Sequence, residues 1–116
     1  MEFQKTYIKE IYTIEKVDLP NQAIPQENKV ILCQNIHRTI QRIPNNRVFA
    51  ITGMQLNNKA TYIMYSFKND VEIPQEATIV FSLNGAEHSG KVKFHQDLSE
   101  ENLGYTREYY IQSDNL

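Results

Sequence analysis

A single cysteine excludes a disulfide framework within the chain. Cys33 lies in the apolar run VILCQNI, where a thiol behaves as a small buried side chain and not as a nucleophile. Tryptophan is absent, and the four glycines (Gly53, Gly85, Gly90, Gly104) stand apart from one another, so no glycine-rich loop exists to cradle a phosphate. They read as turn or bulge positions. No run approaches the ~20 apolar residues that a membrane span needs. The opening MEFQKTYIKE has no basic leader followed by an apolar stretch, which predicts no signal peptide, no membrane partner, and a chain that is cytoplasmic or assembled into a particle. His37, His88 and His95 occur without H-x-H or H-x-x-x-H spacing, so neither a metal nor a cofactor is expected. With no nucleophile beside a base and no paired carboxylates in a motif, no catalytic residue is singled out.

The most informative absence is of one charge sign. Between Asn28 and Asn69 there is no Asp or Glu, while Lys29, Arg38, Arg42, Arg47, Lys59 and Lys68 give that segment a charge of +6. From Asp70 to Leu116 nine acids face three bases, and residues 1–27 hold five acids and three bases. The overall charge of −2 therefore conceals a dipolar chain. Two outcomes are open. The basic middle can pair with the acidic final third across neighbouring strands, each exposed pair contributing only tenths of a kcal/mol. Alternatively, a basic stripe of Arg38, Arg42 and Arg47, with Lys59 and Tyr62 beside it, can meet an acidic partner, either nucleic acid or another copy of the chain.

What is present is a row of strand patterns in a chain of 116 residues, the length of one domain that buries roughly 65% of its unfolded surface. Arg47–Leu56 and Lys59–Phe67 are rich in β-branched and aromatic residues. Asn57-Asn58 between them suits a two-residue turn with positive φ at both positions. Pro44-Asn45-Asn46 and Lys68-Asn69-Asp70 give further breaks. Ala77–Leu83 alternates, with Ile79 and Phe81 set against Thr78, Val80 and Ser82, and leads into an Asn84-Gly85 turn. Gly90–Gln96 alternates again, predicting Val92 and Phe94 inward and Lys91, Lys93 and His95 outward. Asp97-Leu98-Ser99-Glu100 has the D-x-x-E form of a helix capping box, and Gly104 could close the helix, so one short helix is expected near residues 98–103. Tyr105–Gln112 reads as a last strand. Residues 3–16 and 30–43 are ambiguous: Phe3, Tyr7, Ile11 and Ile14 have helical spacing, as do Leu32, Ile36, Ile40 and Ile43, whereas the β-branched and aromatic content of the first segment favours strand. Pro20–Pro25 is an irregular connector. The expected fold is mainly β, an antiparallel β-sandwich or barrel of about seven strands forming a single domain over residues 1–116.

Single-strand nucleic-acid binders combine a basic groove with aromatic platforms, and Tyr62 and Tyr65 between Lys59 and Lys68 supply both. Three residues apart on a regular strand, however, the two rings point to opposite faces, so at least one belongs to the core. A pI near 5.9 is also low for a dedicated nucleic-acid binder.

The strings ATYIMYSFKNDVEIPQEATIVFSLNG and SGKVKFHQDLSEENLGYTREYYIQSDN, within residues 59–115, resemble the N-terminal domain of phage baseplate upper proteins. That resemblance implies a β-sandwich used in building a particle, with no active site to carry over. Opposite charges in the two halves of the chain suit head-to-tail association into a homo-oligomer. The functional expectation is a non-enzymatic protein-binding or assembly module, possible in a phage or mobile element as a structural or host-protein-binding component. The alternative is a small single-stranded nucleic-acid-binding protein on an OB-like barrel.

Overall fold

The computed structural model describes residues 6–43, 60–102 and 105–113, with the side chains of 99–102 excepted. Seven strands account for most of them: β1 (Thr6–Val17), β2 (Gln26–Ile36), β3 (Ile40–Ile43), β4 (Thr61–Phe67), β5 (Thr78–Leu83), β6 (Ala86–Asn102) and β7 (Tyr105–Ser113). They form one antiparallel sheet in the order β2-β1-β5-β6-β7-β4-β3. No helix is present among the described residues, so none there is long and apolar enough to cross a membrane.

Topology forces this sheet to curl. β2 and β3 occupy its opposite edges, yet only His37, Arg38 and Thr39 join them. In a flat sheet the edges would be about 29 Å apart, whereas the four Cα steps from Ile36 to Ile40 span at most about 15 Å. The link bonds to strands on both sides: the Thr6 hydroxyl donates to the Arg38 carbonyl, and the Tyr65 N–H donates to the Thr39 carbonyl at 3.1 Å. The result is a rolled sheet whose concave face holds Ile8 and Ile11 of β1, Ile40, Tyr62 and Met64 of β3 and β4, Ile79 and Phe81 of β5, Val92 of β6, and Tyr109 and Ile111 of β7. Leu32, Cys33 and Ile36 of β2 pack against this core from the edge. A smaller cluster of Ile43, Ile63 and Tyr110 is buried on the other face.

Within the described residues both ambiguous segments are strand, apart from the link at 37–39; a bulge explains the spacing of the first, whereas in the second Ile36 and Ile40 flank the link and Ile40 and Ile43 belong to different clusters. Between Ile8 and Glu10 the pairing with β5 slips by one residue, leaving Lys9 extra. Side-chain parity flips there, so Ile8 and Ile11, three apart, both face the core. Opposite Lys9, Asn35 of β2 takes a φ of 56°, a left-handed conformation that asparagine tolerates. Leu32 is a second extra residue, between the pairs Ile11↔Cys33 and Tyr12↔Ile31.

Asn84-Gly85 forms the expected two-residue turn, with φ of 51° and 87° closing Leu83 onto Ala86. Positive φ at both positions is the type I′ pattern that matches strand twist. Lys68-Asn69-Asp70 also turns, with the Asp70 N–H donating to the Phe67 carbonyl at 3.1 Å. On β5 the alternation holds, Ile79 and Phe81 being buried.

Two expectations are corrected on β6. Val92 is buried but Phe94 is 37% exposed, because the pairs Val92↔Ile111 and Phe94↔Tyr110 leave Lys93 as a bulge that turns Phe94 to the outer face and His95 to the Tyr109 side. The helix near 98–103 is not formed: β6 continues to Asn102, which pairs with Tyr105. A helix of one or two turns has little intrinsic stability, whereas pairing with β7 holds the strand on both sides of this stretch, through Asp97↔Arg107 and Asn102↔Tyr105. Asp97, expected as the cap, instead accepts from Arg107 Nε across the ladder at 2.6 Å. The expected strand Arg47–Leu56, the turns at Pro44-Asn45-Asn46 and Asn57-Asn58, and Gly104 lie outside the described residues.

Candidate functional site

The link that closes the roll carries the first residue of the expected basic stripe. Arg38 sits ahead of β3, and its guanidinium turns onto Asp70 in the β4–β5 connection, with Nε to Oδ2 at 2.8 Å and Nη2 to Oδ1 at 2.5 Å. Nη1 donates to the His37 carbonyl at 2.6 Å, and the guanidinium lies 5.0 Å from the Phe67 ring centre. Asp70 Oδ2 also accepts the Phe67 N–H at 2.8 Å. The Arg38 hydrogen bond holds the Asp70 carboxyl below its ordinary pKa, against the opposing effect of burial and with help from the Phe67 N–H. Asp70 in turn raises that of Arg38. Basic middle and acidic final third therefore meet inside the molecule here.

A cleft of about 430 Å³ opens beside this pair, walled by Thr6, Tyr7, His37, Arg38 and Phe67. His37 Nδ1 lies 3.1 Å from the Thr6 carbonyl, and its ring rests on Tyr7 at 5.2 Å. The other two histidines sit elsewhere: His88 packs 5.6 Å from both Phe81 and Tyr62, and His95 lies 6.0 Å from Tyr109. Among the described residues no three His, Cys, Asp or Glu side chains are grouped so as to hold a metal. Cys33 is partly buried against the core. A second cleft contains Arg107, which reaches Asp97, Glu72 at 3.4 Å and the Tyr109 hydroxyl at 3.1 Å. The Tyr109 hydroxyl, ahead of Asp97, raises the Arg107 pKa.

Of the other residues expected to bind a partner, Arg42 is exposed on edge strand β3, paired in register with Tyr62. It makes no ion pair among the described residues. Tyr62 is only 5% exposed, edge-on to Phe81 at 5.2 Å, so its ring belongs to the core and is not offered to a partner. Tyr65 occupies the opposite face, against Ile43, Ile63 and Tyr110. Arg47 and Lys59 lie outside the described residues. Arg38 and Arg42 thus do not form one strand-borne stripe, since Arg38 leaves the strand line to reach Asp70.

The surface that sequence reasoning missed is the far half of the β1–β2 hairpin. β1 pairs with β5 only as far as Tyr12, but with β2 as far as Val17↔Gln26. Residues 13–17 and 26–30 therefore form a two-stranded arm beyond the roll. On one face of it lie Ile14 and Lys16 from β1, opposite Lys29 and Glu27 from β2, and the same face continues at its root with the pair Tyr12↔Ile31. Ile14 is 50%, Ile31 47%, Val30 38% and Ile24, in the connecting loop, 78% exposed. Lys29 bridges Glu10 at 2.5 Å and lies 4.3 Å above the Tyr12 ring. The outer edge of β2 pairs with no strand among the described residues. The available signal was Pro20–Pro25 between two long β-rich runs, which marks the tip of an extended hairpin.

No protein-family model, no curated protein and no solved structure matches the chain.

Proposed function

We propose that this chain is a non-enzymatic protein-binding module that works in assembly, with the β1–β2 arm as its contact element. The observation that carries this reading is the arm itself. A two-stranded ribbon is marginal on its own in water, and exposed apolar residues gathered on one element mark a contact site. An open edge of backbone donors and acceptors can accept another strand. The three histidines do not gather at one place, each packing against a different aromatic ring. The resemblance of residues 59–115 to phage baseplate upper proteins extends the proposal to a component of a phage or mobile-element particle, located in the cytoplasm or in the particle. Nucleic acid is the less favoured partner, because Arg38 is engaged by Asp70 and Tyr62 is buried.

Molar mass by light scattering, at low and high salt and with or without a short single-stranded oligonucleotide, tests this. The reading expects a mass above that of the monomer that falls with salt and ignores the oligonucleotide. A monomer that gains mass only with the oligonucleotide, with affinity falling steeply in salt, would overturn it.

A further inference from the structure

On the protein-binding reading above, we infer that the partner of the β2 edge is a second copy of the same strand, paired antiparallel about a two-fold axis at Asn28. β3, the other edge, has four residues, and its Ile40 and Ile43 are buried, so it offers little to pair with. β2 has eleven residues and is mostly exposed. Its regular stretch is bounded by Pro25, which has no N–H to give, and by the bulge at Leu32.

Antiparallel bonding requires facing residues to point their N–H and C=O groups the same way relative to the seam, which places a two-fold axis through two copies of one residue and not between residues. Within Gln26–Ile31, only Asn28 and Lys29 give five paired residues. An axis at Lys29 sets Lys29 against the second copy's Lys29, a like-charge pair that destabilises. An axis at Asn28 sets Glu27 opposite the second copy's Lys29, and the symmetry repeats that pair. Charge selects the second register.

The apolar residues agree with it. Counting outward from Asn28, Ile31 falls opposite the second copy's Pro25 and beside its Ile24, so the most exposed large apolar side chain of the described residues gains a neighbour at each end of the seam. Across the outer face the row runs Lys16, Glu27, the second copy's Lys29, and the second copy's Ile14, because Lys16 pairs with Glu27 and Ile14 with Lys29 in each hairpin. Opposite charges alternate along that row. The two rolls then join edge to edge, which covers the Gln26–Val30 stretch of each β2 edge.

The test is cysteine cross-linking with a charge reversal. In a Cys33→Ser background, Asn28→Cys should form an intermolecular disulfide under mild oxidation, while a cysteine at exposed Asn69 should not. Glu27→Lys, which leaves the Lys29–Glu10 pair intact, should weaken the dimer at least about tenfold by sedimentation, and adding Lys29→Glu together with Glu10→Lys, which keeps that pair with its signs exchanged, should restore it. Circular dichroism of each variant confirms that the fold is kept. A chain that stays monomeric at about 1 mM, a concentration at which even a millimolar Kd gives a large dimer share, would overturn the inference. So would a dimer that neither cross-links at position 28 nor responds to Glu27→Lys, although that result would leave the protein-binding reading standing with the contact elsewhere. Oligonucleotide binding by a monomer would overturn both.

Discussion

Asp70 holds together the link, the β4 terminus and the loop that follows it, through two bonds from Arg38 and one from the Phe67 N–H. Asp70→Asn keeps the shape and leaves the guanidinium without its counter-ion. It should lower stability by about 1.5–3 kcal/mol, the range for hydrogen bonds to charged groups, measured by urea unfolding near neutral pH. The pH dependence has a defined sign. Because the Asp70 pKa is lower folded than unfolded, its contribution is complete above the ordinary aspartate range and is lost as pH falls below that range through the folded value. The difference between wild type and Asp70→Asn should therefore shrink between pH 7 and about pH 3, where an ordinary aspartate is mostly protonated. An undiminished difference would mean that Arg38 contributes through packing on Phe67. Gly90 is a second sensitive residue. A Cβ there would lie 2.5 Å from the Gln112 carbonyl oxygen and 2.8 Å from Ile111 Cγ2, so Gly90→Ala must push β6 away from β7. A loss of about 1–3 kcal/mol is expected in the same assay, the usual cost of overpacking.

At the scale of elements, the strands were legible wherever alternation was regular. Thr78–Leu83, the Asn84-Gly85 turn and the final strand are where residue type places them. The bulges at Lys9, Leu32 and Lys93 were not legible, because a bulge is defined by the register of the partner strand and leaves no fixed residue type behind. Each one shifts the apolar period locally from two to three, which is why β1 mimicked a helix and Phe94 looked buried. The helix expected at 98–103 failed for a related reason: a capping box describes only local bonds, and Asp97 found its partner, Arg107, ten residues away across a hairpin. The candidate site was legible as charge but not as geometry. Arg38 stood out by sequence, yet its engagement by Asp70 depends on the roll bringing the β2–β3 link against the β4 terminus. The arm carries the element-scale prediction. Ile14 and Ile31 are about half exposed and lie outside the core, so Ile14→Thr and Ile31→Thr should change unfolding stability by less than about 0.5 kcal/mol, as surface substitutions do. Their effect should appear in the self-association measured by sedimentation. Loss of stability with association unchanged would place the arm inside the fold's own core.

For the whole molecule, the opposite charges of the middle and final thirds are partly cancelled within the chain, by Arg38–Asp70 above all. What the described surface leaves open is an edge strand and an arm with exposed isoleucines, which is the basis of a module that acts by contact. Self-pairing through Glu27 and Lys29 makes association sensitive to salt, because both residues are exposed in the monomer. Amide hydrogen exchange, followed at dilute and at high protein concentration, measures this most directly. The account predicts that protection rises with concentration at Gln26–Ile31 of β2 and stays constant in β4, β5 and β7, whose backbone bonds are already made within the roll. Rising mass with no gain of protection on β2, or protection gained along β3 instead, would contradict it.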